Sequence, residues 1–161
     1  MMLIETKVKT RGNSERKNDS AEDTLFSCFR CGVCCSGYQV QMTLPEAREI
    51  AERLGVEWQS FSDSYLDHRW PGRDTVVLRH DNFRCVFLDQ PADSVFGLCR
   101  IHQFKPISCR AWRASPDRKE CRQGLSRFWN LMIDENGKLK GSPPDLKCFR
   151  TFVRTITMEE P

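Results

Sequence analysis

Eight of the nine cysteines in this 161-residue chain are spaced for chelation. Cys28, Cys31 and Cys34 recur at intervals of three, and Cys35 follows at once. Loops this short curl thiolates around one centre and leave backbone amides free to donate to sulfur. Cys85, Cys99, Cys109 and Cys121 raise the count to eight. Eight thiols suffice for two four-coordinate zinc sites, two iron–sulfur clusters, or one of each. A closed four-thiolate zinc site is structural, whereas an iron left open in a cluster is a place for substrate chemistry.

The opening spacing is also that of bacterial ferredoxins, where it supplies three ligands of a four-iron cluster. Tyr38 stands where the fourth cysteine of that pattern would fall, after a gap of three residues, so a remote thiol has to complete the shell. Adjacent side chains of an extended segment point opposite ways. Cys34 and Cys35 therefore need not serve the same centre: one can close a first site while the other starts a second. Chelation of one ion by both requires a particular loop conformation, with Gly32 placed to relieve crowding or adopt a positive φ. Cys148, beside Phe149 and Phe152, reads as a free buried cysteine. His102, three residues after Cys99, is either a ligand or a hydrogen-bonding neighbour of one. Arg110 is read as an ion-pair partner or as charge compensation for the thiolates. Trp112, Trp129 and Phe104 are read as screens against water, and His68 and His80 as ordinary surface or packing residues.

Other chemistries are poorly represented. There is no serine triad, phosphate loop or paired carboxylate in a suitable context, and Glu46 and Glu49 fit a solvated helix face. No catalytic residue is assigned. The formal charge of +3 comes from 25 basic and 22 acidic residues, a near balance that gives no reason to infer nucleic-acid binding. No apolar run approaches a membrane span, and the N-terminus lacks a secretory pattern. The chain is expected in the cytoplasm, where thiols stay reduced and clustered cysteines act as ligands or redox groups. An odd count of nine also fits a disulfide framework poorly.

The elements that must position the thiols are partly legible. Residues 1–24 read as a flexible polar leader and 25–157 as one cysteine-rich metal-binding domain. Thr43 and Glu46 form a capping box with Pro45 in the first turn. Leu44, Ala47, Ile50, Ala51 and Leu54 follow at helical spacing up to Gly55. A looser helix is expected over 58–66. Residues 75–78 and 84–88 read as a hairpin about Asp81 and Asn82, with Cys85 on a strand. Residues 94–97 read as a loop and 101–104 as one helical turn before Pro106. Ser115 and Pro116 read as N-cap and N1 of a helix whose buried stripe runs from Cys121 through Leu125 and Phe128 or Trp129 to Met132 and Ile133, ending at Asn136 or Gly137. After a polar linker at 141–144, a last short element carries Phe149, Phe152, Val153 and Ile156. The sum is a small α+β domain with helices and a short hairpin, stabilised by metal, because metal binding energy is also folding energy.

Phe26, Ser27 and Cys28, followed by Phe29, Arg30, Cys31, Gly32, Val33, Cys34 and Cys35, resemble the opening motif of the CxxCxxCC family of zinc- or iron-chelating domains. Cys85, Val86, Phe87 and Leu88 extend the resemblance. So does the run from Cys99 to Trp112, with Ile101, His102, Pro106, Cys109 and Arg110, and Cys121 fits a later family cysteine. The similarity covers residues 26–121. Lys105 stands where the family often has Arg, Arg113 where it commonly has Pro, and His102 near its usual aromatic. The resemblance implies chelation by Cys28, Cys31, Cys34, Cys35, Cys85, Cys99, Cys109 and Cys121, with Cys148 outside the pattern.

Longer relatives resemble flagellin lysine N-methylases, but this chain shows no glycine-rich methyl-donor loop. The expected function is an iron–sulfur-cluster-binding accessory or electron-transfer protein, its cofactor a 4Fe-4S cluster, working with a protein or redox partner and no membrane. The alternatives are a zinc-stabilised interaction domain and a methylase-like metal-dependent enzyme.

Overall fold

Thr43 starts the best-defined helix. Its hydroxyl accepts from the Glu46 backbone N–H while the Glu46 carboxylate accepts from the Thr43 N–H, so two orphan donors of the first turn are satisfied reciprocally. Pro45 sits in that turn without cost, and Gly55 takes a left-handed φ of 68° just past the helix end. The computed structural model describes residues 27–158. The expected leader at 1–24 lies outside the described residues.

The helices are α1 (Val33–Gly37), α2 (Leu44–Arg53), α3 (Trp58–Tyr65), α4 (Ile107–Ala111), α5 (Lys119–Trp129) and α6 (Pro143–Met158). The strands are β1 (Gln41–Thr43), β2 (Thr75–Val77), β3 (His80–Asp81), β4 (Arg84–Cys85), β5 (Leu88–Asp89), β6 (Leu98–Cys99), β7 (Met132–Ile133) and β8 (Leu139–Lys140). The strands pair as four separate antiparallel ladders, β1 with β2, β3 with β4, β5 with β6 and β7 with β8. This is the small mixed α+β architecture that the sequence implied.

Several boundaries differ from expectation for identifiable reasons. Residues 75–77 do not form a hairpin with 84–88. They pair with β1, placing Gln41 opposite Val77 and Thr43 opposite Thr75. The hairpin is the shorter β3–β4 pair, closed by Asn82 and Phe83, both at positive φ. Cys85 does lie on a strand, as expected. The fifth helix begins at Lys119, because Ser115 instead closes a turn: its hydroxyl accepts from the Asp117 N–H and its carbonyl from the Arg118 N–H. That helix ends at Asn130 in the left-handed conformation, where the Leu131 N–H turns back to the Leu125 carbonyl. Met132 and Ile133 therefore leave the helix and form β7. Asn136 and Gly137 belong to the β7–β8 turn, in which the Asp134 carboxylate accepts from two backbone N–H groups. Pro143 and Pro144 open α6, and the last element is sixteen residues long, not short. Residues 107–111, unassigned in the sequence, form α4.

Two apolar clusters result. The first gathers Met42, Ala47, Ile50, Ala51, Phe61, Leu66 and Leu78 with Phe87 and Ile101, and Cys85 and Cys99 pack against it. The second gathers Phe29, Leu125, Leu131, Phe149, Val153 and Ile156 with Cys121, and Cys31 packs against it. Phe61 is fully buried and stacks between Trp58 and Tyr65, and Tyr65 stacks in turn on Phe87. Phe61→Ala removes the ring at the centre of that row. It is expected to cost about 3–5 kcal/mol, measured by urea denaturation of the protein as isolated.

Candidate metal centre

Helix α1 carries Cys34 and Cys35 and packs between α5 and β4, so it faces one thiol on each side: Cys121 on α5 and Cys85 on β4. The two cysteines lie on a helical turn, not on the extended segment expected, and their directions differ by roughly 100°. They still diverge. Cys34 lies in the field of Cys28, Cys31 and Cys121, and Cys35 in that of Cys85 and Cys99. Cys109 lies close to Cys85 and Cys99 and also feels Cys34. These interactions set Cys28, Cys31, Cys34 and Cys121 in one four and Cys35, Cys85, Cys99 and Cys109 in another, with Cys34 acting across the divide on both Cys35 and Cys109. The fours meet where the Cys34 and Cys35 sulfurs stand 4.0 Å apart. They are neighbourhoods and not closed coordination spheres. Among the described residues, no three His, Cys, Asp or Glu groups are drawn in tightly enough to hold an ion as they stand.

Each thiol has a structural reason for its position. Phe29, inside the first Cys-x-x-Cys loop, is buried edge-on against Phe149 and pins that loop to the second core. Arg30 and Gly32 both take positive φ, 51° and 75°, as the chain curls between Cys28 and α1. The Arg30 carbonyl accepts from the Gly97 N–H at 2.7 Å, tying this loop to the approach of β6. The buried Gln90 side chain donates to the Cys31 carbonyl at 3.0 Å and leaves no room for a Cβ at Gly32. On α5, Gly124 lies one turn from Cys121, and a Cβ there would come within 2.5 Å of the Cys31 sulfur. Tyr38 donates to Glu120 at 2.8 Å and clamps the end of α1 to α5. Cys109 is fixed by α4, whose first N–H donates to Glu46 at 2.8 Å and whose Ser108 hydroxyl donates to the Gln41 carbonyl at 3.0 Å.

Backbone donors converge on sulfur. The N–H two residues on serves Cys28 from Arg30, Cys31 from Val33, Cys85 from Phe87 and Cys99 from Ile101. Leu88 adds a second donor at Cys85, and Cys121 takes one from Ser115. Such donors favour the thiolate. Burial opposes them and prevails at most positions. It raises Cys28, Cys85, Cys99 and Cys121 and pushes Cys31 and Cys109 up to about 12. Cys34 goes the other way: the hydrogen bond from Cys35 lowers it and raises Cys35. Lys105 acts on Cys28, Cys99 and Cys109, and Arg30 on Cys28 and Cys99, so two cations serve both fours, while Arg100 serves Cys85 and Cys99.

Other expected site residues are assigned more narrowly. Arg110 favours the charged form of Glu46, and Lys105 and Arg30 are among the cations that act on the thiols. His102 contacts Arg30 at 3.4 Å, which makes it a neighbour of the loop cations. Cys148 is exposed, contrary to the buried position expected, because α6 turns Phe149, Val153 and Ile156 inward and leaves position 148 outside. Trp112 packs on Tyr38 under Arg118, and Trp129 packs on Phe149 and Phe152 in the second core. Gln90 and Gly124 were not legible as site residues, since only their close approach to the Cys31 loop marks them. Among the described residues no helix is long and apolar enough to cross a membrane.

The small α+β fold and its thiol arrangement define a cysteine-rich chelating domain. The chain belongs to the CxxCxxCC family, whose model, described as "Putative zinc- or iron-chelating domain", matches residues 27–135. Metal binding is the property that membership supports. No curated protein and no solved structure matches the chain.

Gly124→Ala drives a methyl group into the Cys31 sulfur and is expected to cost about 1–3 kcal/mol as an overpacked contact. Gly37→Ala, where nothing lies within 4 Å, is expected to be near neutral in the same urea titration. The raised thiol pKa values give a pH dependence of definite sign. At every one of the eight except Cys34 folding favours the neutral thiol, and there the unfolded chain loses its thiol protons first, from about pH 8.5. Their contribution is intact below that pH and is lost progressively toward about 12. The melting temperature of reduced, metal-free protein is expected to rise slightly from about pH 7 to 8, where Cys34, lowered to about 7, ionises in the folded chain before the unfolded one, and to fall steeply above about 9.

Proposed function

We propose that the domain is an iron–sulfur protein with an accessory or electron-transfer role, working with a protein redox partner. Its two centres are held by Cys28, Cys31, Cys34 and Cys121 and by Cys35, Cys85, Cys99 and Cys109. What supports this reading is a set of eight thiols whose mutual interactions suit two fours, with the Cys34 and Cys35 sulfurs of the two 4.0 Å apart. Centres set this close suit one-electron exchange, a use that redox-silent zinc would leave idle.

The donor set fits the group. Thiolates are the protein ligands of four-iron clusters, one per iron, and such a cluster when bound supplies reversible one-electron chemistry. The chain's own residues do the rest. The Arg30, Val33, Phe87 and Ile101 amides donate to sulfur, which stabilises the thiolates and helps set a potential. Lys105 and Arg30 offset negative charge between the two fours. The second apolar cluster, with Phe29 and Phe149, covers Cys31 and Cys121 of the first four, and the first cluster, with Phe87 and Ile101, covers Cys85 and Cys99 of the second.

Iron, zinc and acid-labile sulfide measured on one anaerobically purified sample test the reading, with visible absorption and EPR alongside. Iron and sulfide are expected in equal amounts, about four of each per occupied centre. A colourless protein with stoichiometric zinc and no sulfide would overturn it in favour of a zinc-stabilised domain. Cys121→Ser and Cys109→Ser, made singly, are each expected to remove about half of the iron, because each takes one thiolate from a different centre. Retention of full iron by either variant would contradict the grouping.

A further inference from the structure

A cleft of about 400 Å³ opens between the β3–β4 turn and the C-terminal half of α5, beside Gly32 and Ser36. Two aromatic rings, Phe83 and Phe128, and two guanidinium groups, Arg84 and Arg127, line it, and no carboxylate does. Arg84 spends two donors on Gln90, one on its backbone carbonyl at 3.0 Å and one on its side-chain oxygen at 2.7 Å. Arg127 rests 5.0 Å from the Phe128 ring centre. Among the described residues neither cation pairs with a carboxylate.

Phe83 is the unusual member. A two-residue turn with positive φ at both positions is built from Asn and Gly. Asn82 satisfies that rule at φ 50°, but Phe83 holds φ 62° with a bulky side chain. Its ring is 88% exposed, so neither the core nor the turn accounts for it. An aromatic at positive φ and this exposed, at the mouth of a cleft with two cations that meet no carboxylate, has the composition of a recognition element.

We propose that this cleft binds a small flat organic anion, an aromatic ring bearing a carboxylate, sulfonate or phosphate group. The ring lies against Phe83 and Phe128, and the charge is held by Arg84 and Arg127 through charge-assisted hydrogen bonds. The volume lies within the range of small-molecule sites. Gln90 connects the cleft to the thiol loop. It accepts from Arg84 on one side and donates to the Cys31 carbonyl on the other, and Cys31 itself lines the cleft. A ligand that draws Arg84 toward itself therefore pulls on the segment that carries Cys31.

Fluorescence titration of the protein as isolated tests the site, with anilinonaphthalene sulfonate as the anionic probe and phenylnaphthylamine as its neutral counterpart. Saturable binding of the sulfonate is expected, with the neutral probe about tenfold weaker or worse. Phe83→Gly relieves the turn, so it is expected to melt no lower than the parent, yet to bind the sulfonate about tenfold more weakly. Arg127→Glu, on the exposed side of α5, is expected to weaken binding at least as much with melting unchanged. Equal affinity for the two probes, emission that does not saturate, or parental affinity in both variants would overturn the proposal.

Discussion

Two adjacent thiols on a five-residue helical turn cannot face the same way, and the arrangement of this domain follows from that constraint. Helix α1 is too short to bury a core face of its own, and none of its residues is buried. What holds it is its surroundings: Gly32 in a left-handed conformation before it, the Tyr38–Glu120 hydrogen bond after it, and α5 and β4 on its flanks. A change at any of these positions is felt at Cys34 and Cys35 together.

The two apolar clusters follow the same division. Cys85 and Cys99 pack on the cluster of α2 and α3, while Cys31 and Cys121 pack on the cluster of α5 and α6. Two thiols of each four thus rest on a separate core, and α1 supplies one further thiol to each. Lys105 and Arg30, which act on thiols of both fours, lie where the fields of the two overlap. Burial makes most of these thiols reluctant to ionise and the hydrogen bond with Cys34 does so for Cys35, and the amide donors are set against that cost. A cation is the group that resolves such a conflict, since binding it exchanges a buried proton for a stronger partner.

What the sequence revealed was local. The Thr43–Glu46 box, the stop at Gly55 and the positive φ of Gly32 are decided within a few residues, and all three are found. The thiols themselves were legible because their chemistry needs no context. The partner of β2 was not, because it lies some thirty residues upstream, and alternation within 75–78 cannot specify it. The end of α5 was misplaced because Met132 and Ile133 continue the apolar stripe, while the left-handed Asn130 that ends the helix is a single residue. Cys148 was misjudged because Phe149 beside it is apolar, although on a helix neighbours in sequence face different ways. Gly124 looks like an ordinary helix-weakening residue until Cys31, more than ninety positions earlier, is seen to occupy the space its side chain would take.

The strand ladders have a further consequence. No ladder among the described residues exceeds two strands, so no continuous hydrogen-bonded sheet carries order from one apolar cluster to the other. In a chain wired this way, cooperativity passes through side chains and, in the reading proposed above, through the ligated sulfurs. On that reading, maturation would depend on supply. The rate at which newly made chains reach their working form would follow the availability of iron and sulfide, and a cell short of either would accumulate half-ordered molecules and not merely inactive ones.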